Sequence, residues 1–295
     1  MSSSSSTPLS ALEPPLKKGE RRNWAELPSE LTSLILGRLG AVDILENAQK
    51  VCTPWRRICK DPSMWKKIDL RDLGNREMED LDFDILCRHA VDLSQGGLRE
   101  IHLESFATDS LLNYIADRSR DLRSLGLQVF YTAVTNRGLV NALEKLPLLE
   151  TLEVSHTCLR LNLQAIGEAC PQLHTLKLNS SASFHVRIRG FGIIKGDDDF
   201  ALAIAESMSE LRHLQLLGDR LTEDGLKAIL DGCPCLKHLD IRKCFHIGED
   251  LEKQCFERMK EFRRPSDLSD DYPYNIIFLS SDFEYSSSDD DSDDN

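Results

Sequence analysis

Apolar and polar positions along much of this chain follow one recurring pattern, Leu-x-x-Leu-x-Leu, with Ile or Val replacing some leucines. It occurs at Leu98-Ile101-Leu103, Leu122-Leu125-Leu127, Leu149-Leu152-Val154, Leu173-Leu176-Leu178, Leu211-Leu214-Leu216 and Leu236-Leu239-Ile241. The start-to-start spacings are 24, 27, 24, 38 and 25, and a degenerate copy, Trp65-Ile68-Leu70, lies upstream of the first. The period-2 alternation inside each copy predicts a short strand. Between copies the apolar period lengthens to that of a helix. Leu112, Ile115, Ala116 and Ser119 share one face, as do Leu139, Ala142, Leu143 and Leu146, and Leu226, Ile229, Leu230 and Cys233. Thr222 is placed to cap the last of these helices. Pro147, Pro171 and Pro234 each stand two positions before a copy, where proline stops a helix and restarts the chain as extended. The one long spacing, between Leu173 and Leu211, implies an insertion within 179–200.

The unit is one strand plus one helix. It resembles the leucine-rich repeat, whose period runs roughly 20–29 residues. The last copy, with Cys244 at its end, resembles the cysteine-containing type. The fold expected is an α/β solenoid with short parallel strands inside and helices outside, because a lone short strand cannot bury its own face. An unrelated βαβ fold is the alternative. Residues between the leucines alternate outward onto the concave face. The candidates there for binding a target are Glu100, His102, Glu104, Glu153, Lys177, His213, Gln215, His238, Asp240 and Arg242. Acids dominate the early copies and bases the late ones, so a dipolar groove is expected. Six clear repeats predict a shallow arc with no obvious pocket.

Residues 23–65 follow another pattern. Pro28 suits the first position of a helix whose apolar face is Leu31, Leu34, Ile35 and Leu39. Asp43 is placed to cap a second helix using Ile44, Ala48 and Val51, and Thr53 and Pro54 to open a third carrying Trp55. Leu27-Pro28, Ile35-Leu36, Val51-Cys52, Trp55 and the closing Pro62-x-x-Trp65 together resemble the F-box, here as a small three-helix domain. Pro54 departs from that pattern, at a position where a helix start tolerates it. The segments 22–31 and 40–52 are most similar to the small plant F-box/LRR-repeat proteins. That resemblance implies docking on a Skp-type adaptor, and through it on a cullin, in an SCF-type (Skp-cullin-F-box) ubiquitin ligase whose repeats bind the target. Leu27, Pro28, Leu31, Ile35, Leu36, Val51 and Trp55 are the candidate adaptor-binding residues, about half of them expected to serve the domain's own core instead. A repeat scaffold that binds partners without ubiquitination is the alternative, and a ligand-sensing receptor is a third reading.

Composition and charge narrow the choice. The net charge of −13 over 295 residues is concentrated: from Pro265 onward there are ten acids and no Lys or Arg. That leaves 39 acids against 36 bases in the rest, with no strongly basic face to suit a nucleic acid. No run approaches the roughly 20 apolar residues of a membrane helix, and the Ser-rich start has no apolar segment of a secretory signal. Nine scattered cysteines then read as reduced thiols of an intracellular protein, nuclear or cytoplasmic. Cys233-Pro-Cys235 with His238, Cys244 and His246 has poor zinc spacing, and no cysteine lies in a recognisable catalytic motif, so neither metal, cofactor nor catalytic residue is expected. The organisation expected is a leader at 1–22 with a basic cluster at 17–22, the F-box at 23–65, repeats at 66–262, and an acidic, Ser-rich tail at 263–295. Disorder is expected at both termini. The quartet Ile276–Leu279 reads as a last strand or a SUMO-binding motif.

Overall fold

A computed structural model describes residues 24–71, 81–129, 133–155, 161–179 and 197–271. The insertion, the leader cluster, Cys158 and Ile276–Leu279 lie outside the described residues.

After a short 3-10 turn at Trp24–Glu26, helix α1 runs Ser29–Leu36. Pro28 stands just ahead of it, one position earlier than expected. A second helical stretch, α2, covers 41–51 and includes a wider π turn at Ile44–Ala48. It starts after Gly40, so Asp43 lies inside it rather than capping it. Helix α3 is Thr53–Cys59, with Pro54 in its first turn. A 3-10 turn at Pro62–Trp65 then leads into the sheet, its start capped by the Asp61 carboxylate, which accepts the Ser63 N–H at 2.9 Å.

The sheet has eight parallel strands in sequence order: β1 Lys67–Asp69, β2 Glu100–Leu103, β3 Ser124–Gln128, β4 Thr151–Ser155, β5 Thr175–Asn179, β6 His213–Leu217, β7 His238–Asp240 and β8 Glu261–Arg263. Each connection carries a helix where it is described: α4 Phe83–Leu93, α5 Asp109–Arg118, α6 Asn136–Leu143, α7 Leu163–Ala169, α8 Asp199–Ser207, α9 Glu223–Gly232 and α10 Glu249–Arg258. This is the expected solenoid. The register shows why it coheres. Ile68, Ile101, Leu125, Leu152, Leu176, Leu214, Leu239 and Phe262 stand side by side across all eight strands. Each leucine meets its counterpart one strand away, so every copy completes the burial its neighbour began. The three repeat-helix faces read from the sequence are buried against this ladder, Ser119 and Cys233 included.

Side chains also tie successive repeats together at their helix starts. Thr222 caps α9 as expected, and its hydroxyl and N–H both donate to the Asp198 carboxylate, the N–H at 2.9 Å. Earlier in the solenoid, Thr135 makes the same two bonds to Asp109, both at 2.7 Å. Gly225 and Gly138 leave room for those carboxylates: a Cβ on either would lie within about 2.2 Å of one.

Candidate functional site

Two surfaces carry the candidate residues. The first is the helical N-terminal segment. Leu31, Leu34, Ile35 and Val51 are 48%, 68%, 41% and 60% exposed, Pro28 is exposed and Leu27 is half-buried. A domain that leaves four large apolar side chains this open has an unfilled need for burial, about 25 cal/mol for each Å² removed from water. Leu36 corrects the sequence reading: it is 0% exposed and belongs to the core. Neighbouring helix positions are about 100° apart, and Leu36 follows Thr32, buried one turn earlier, whereas Ile35 follows Leu31. Trp55 is half-buried against the core, and its indole N–H finds no acceptor among the described residues.

Trp65 joins the two surfaces. It is 1% exposed, its indole N–H donates to the Cys59 carbonyl at 2.8 Å, and its turn packs on α4. The helical segment and the repeats therefore share one continuous core.

The second surface is the concave face. In-register parallel strands set outward residues about 4.8 Å apart across the sheet, so opposite charges pair within rows. Lys67 meets Glu100 at 2.7 Å and Lys177 meets Glu153 at 3.6 Å, and the His238 ring hydrogen-bonds the Glu261 carboxylate at 2.9 Å. The expected dipolar groove is thus neutralised pair by pair. His102 is buried, not open to a ligand: its ring fills the space over Gly126, where a Cβ would lie 2.1 Å from Nδ1. Glu104 is half-buried at the end of β2. Arg242, only 2% exposed, is a strut. Its guanidinium bonds Asp240 and Asp271 and donates to the Leu268 carbonyl. Asn179 donates to the Ser155 hydroxyl at 2.9 Å and accepts from Gln215 at 2.7 Å, a polar ladder three strands wide.

Contrary to the shallow arc expected, the face deepens between β5 and β8 into a hollow of about 290 Å³. His213 and His238 form part of its lining as stacked imidazoles, 4.0 Å apart and 9° from parallel. Burial and the neighbouring His238 hold His213 below the ordinary histidine range. Three charged lining residues, Glu261, Arg263 and Asp271, were not among the candidates. The signal for the first two was the polar-apolar-polar order around Phe262; nothing local marks Asp271.

The cysteines do not assemble a site among the described residues, where no group of three possible metal ligands occurs. Cys233 turns inward and donates weakly to the Met208 carbonyl at 3.4 Å, away from Cys235. Burial pushes the thiols of Cys87 and Cys170 up to about 12 and those of Cys233 and Cys255 up to about 11, so all four stay protonated at neutral pH. Among the described residues no helix is long and apolar enough to cross a membrane.

Asp219, in the turn after β6, is a carboxyl strongly displaced by the fold. Burial drives it up to about 6, against N–H groups of Leu221 and Arg220 that pull the other way. The folded chain therefore takes up this proton before the unfolded one, and stability from this group rises as pH falls from about 6 toward 4. Asp219→Asn keeps an acceptor for those N–H groups and removes the buried charge. We expect it to raise the unfolding temperature at pH 7, with the gain vanishing by pH 4; melting curves across that range check it, and an unchanged midpoint at pH 7 would contradict it.

Comparison with known proteins agrees with this arrangement. Residues 24–71 match the F-box-like family model. The chain is 59% identical over 269 residues to F-box/LRR-repeat protein 21 of Arabidopsis thaliana, covering 88% of this chain and 86% of that one. It is 49% identical to the F-box protein SKIP19 of the same plant, covering 98% and 92%. Among solved structures, the crystal structure of the Rad7 and Elc1 complex in yeast overlaps 81% of this chain and 70% of that one, with a TM-score of 0.46 at 16% identity, a likeness too slight to build on. With an exposed apolar helix pair at its start and a leucine ladder behind it, this chain belongs to the F-box/LRR-repeat family.

Proposed function

We propose that this chain is the target-recognition subunit of an SCF-type ubiquitin ligase. The carrying observation is the open apolar strip of Leu31, Leu34, Ile35 and Val51 inside the F-box-like segment. A Skp-type adaptor is the partner that would cover it, with a cullin beyond. Pro28 and half-buried Leu27 border the strip, and Trp55 backs it from the core side.

On this reading the chain makes and breaks no bonds. Its rigid core holds the concave face at a fixed position relative to the adaptor, so a captured target is presented to the ubiquitin donor at high effective concentration. The concave residues that remain accessible, His213, Gln215, His238 and Lys177 above all, are the target contacts proposed. Glu153 orients Lys177, Glu261 orients His238 and Asn179 orients Gln215, while Glu100 and Asp240 are engaged by Lys67 and Arg242, and His102 and Arg242 support the face from beneath.

The test is co-expression with a Skp-type adaptor and a cullin. Co-elution of all three as one complex supports the reading. A chain that elutes alone, with the adaptor and cullin paired without it, leaves a repeat scaffold without ubiquitination as the function.

A further inference from the structure

We propose that residues 272–295 fold back onto the β5–β8 end of the concave face and act there as a tethered competitor for the target. That the tail docks is independent of the proposed function; that it competes with a target rests on that reading.

The chain already turns that way at 264–271. The Lys243 N–H donates to the Pro265 carbonyl at 2.8 Å and Arg242 to the Leu268 carbonyl at 2.9 Å. These bonds draw 264–271 back beside β7. Asp271 then reaches the hollow itself, its carboxylate shared between Arg242 and Arg263 at 2.5 Å each. Those guanidinium groups, Arg242 foremost, hold it below the ordinary carboxylate range. The last described residue is thus an acid seated in the hollow.

The rim at the other, N-terminal ends of these strands is basic. Arg212, Lys237 and Lys260 immediately precede β6, β7 and β8, and backbone bonds set them next to one another: Lys237 N–H to the Arg212 carbonyl at 2.9 Å, Lys260 N–H to the Lys237 carbonyl at 2.8 Å. All three are exposed, and none forms an ion pair among the described residues. The arginines at the matching place before β2 and β3 are paired, Arg99 with Asp121 and Arg123 with Glu150. Three cationic side chains on neighbouring strands, whose backbones are about 4.8 Å apart, repel one another. An acidic segment relieves that repulsion.

The segment beyond Asp271 carries seven acids and no Lys or Arg. Extended, it reaches roughly 79 Å at about 3.3 Å per residue, against about 14 Å across four strands. A tether of this length gives an effective concentration of about 1 mM. A contact with a Kd of about 0.1 mM therefore keeps the hollow occupied roughly nine-tenths of the time, which weakens a competing peptide about tenfold.

The test uses the full chain and a fluorescent synthetic peptide of residues 272–295, read by anisotropy at low salt. The receptor is the chain with Asp289, Asp290, Asp291, Asp293 and Asp294 replaced by Asn. We expect the peptide to bind this receptor at least tenfold more tightly than it binds the unaltered chain, whose own tail holds the site. Adding Lys237→Glu and Lys260→Glu to the receptor should weaken binding at least tenfold without moving its unfolding midpoint, since both side chains are exposed. Raising the salt should weaken it too. Absence of binding to the neutralised-tail chain, or equal affinity for both chains, overturns the proposal. So does blocking by the unaltered chain that disappears on tenfold dilution, which would assign the occupant to a second copy. Neither adaptor nor target enters these assays, so this proposal and the proposed function fail separately.

Discussion

Replacing Leu31 and Ile35 together by Glu is expected to weaken binding to a Skp-type adaptor roughly 100-fold, about 2.8 kcal/mol, while leaving the unfolding midpoint in place. Both residues sit one turn apart on α1 and are 48% and 41% exposed, so the free chain loses little when they become polar. A bound adaptor would be left with two charges buried against its apolar contact surface. Leu36→Ala is the matching control. It removes a side chain that is 0% exposed and should cost about 2–5 kcal/mol of stability. Calorimetric binding and urea unfolding on the two variants separate the roles. Equal loss of stability in both, or unchanged binding by the double variant, would show that α1 presents some other face.

Trp65→Ala should produce the largest loss of stability, about 3–5 kcal/mol. The indole fills the junction between α3 and α4, and its N–H satisfies the Cys59 carbonyl, so truncation leaves both a cavity and an unpaired acceptor. The two parts share one core, so unfolding should turn from one cooperative transition into two, with the helical segment melting first. Trp65→Phe keeps most of the volume and should cost far less. Urea denaturation followed by circular dichroism measures this. A loss under about 1 kcal/mol for Trp65→Ala would mean that the segment is held to the repeats by other contacts.

Much of this architecture was legible because its physics is periodic. Six copies at a nearly constant spacing could only be buried by stacking, and the ladder from Ile68 to Phe262 is that stacking realised. Thr222 was readable as a cap because a hydroxyl before an apolar run answers an immediate backbone need. The eighth strand left only a faint signal, since Glu261-Phe262-Arg263 offers a single apolar residue in its polar-apolar-polar order. Ile35 and Leu36 look like one unit in the sequence, although a helix turns neighbours apart and sends only the first outward. The face's charges look like a row along the solenoid, whereas the register pairs them across it, as Lys177 with Glu153 shows. Asp271 was invisible for a plainer reason: its partner Arg242 is remote in sequence, and only the turn at 264–271 brings them together.

The proposed role stands or falls with α1 and the segment after it as a docking face for a Skp-type adaptor. The most direct measurement is calorimetric titration of the purified full chain with the purified adaptor at two temperatures. The expected result is a one-to-one complex of micromolar or better affinity, with a negative heat-capacity change from the buried apolar strip. An absence of heat at either temperature, together with separate elution of the two proteins, would contradict it.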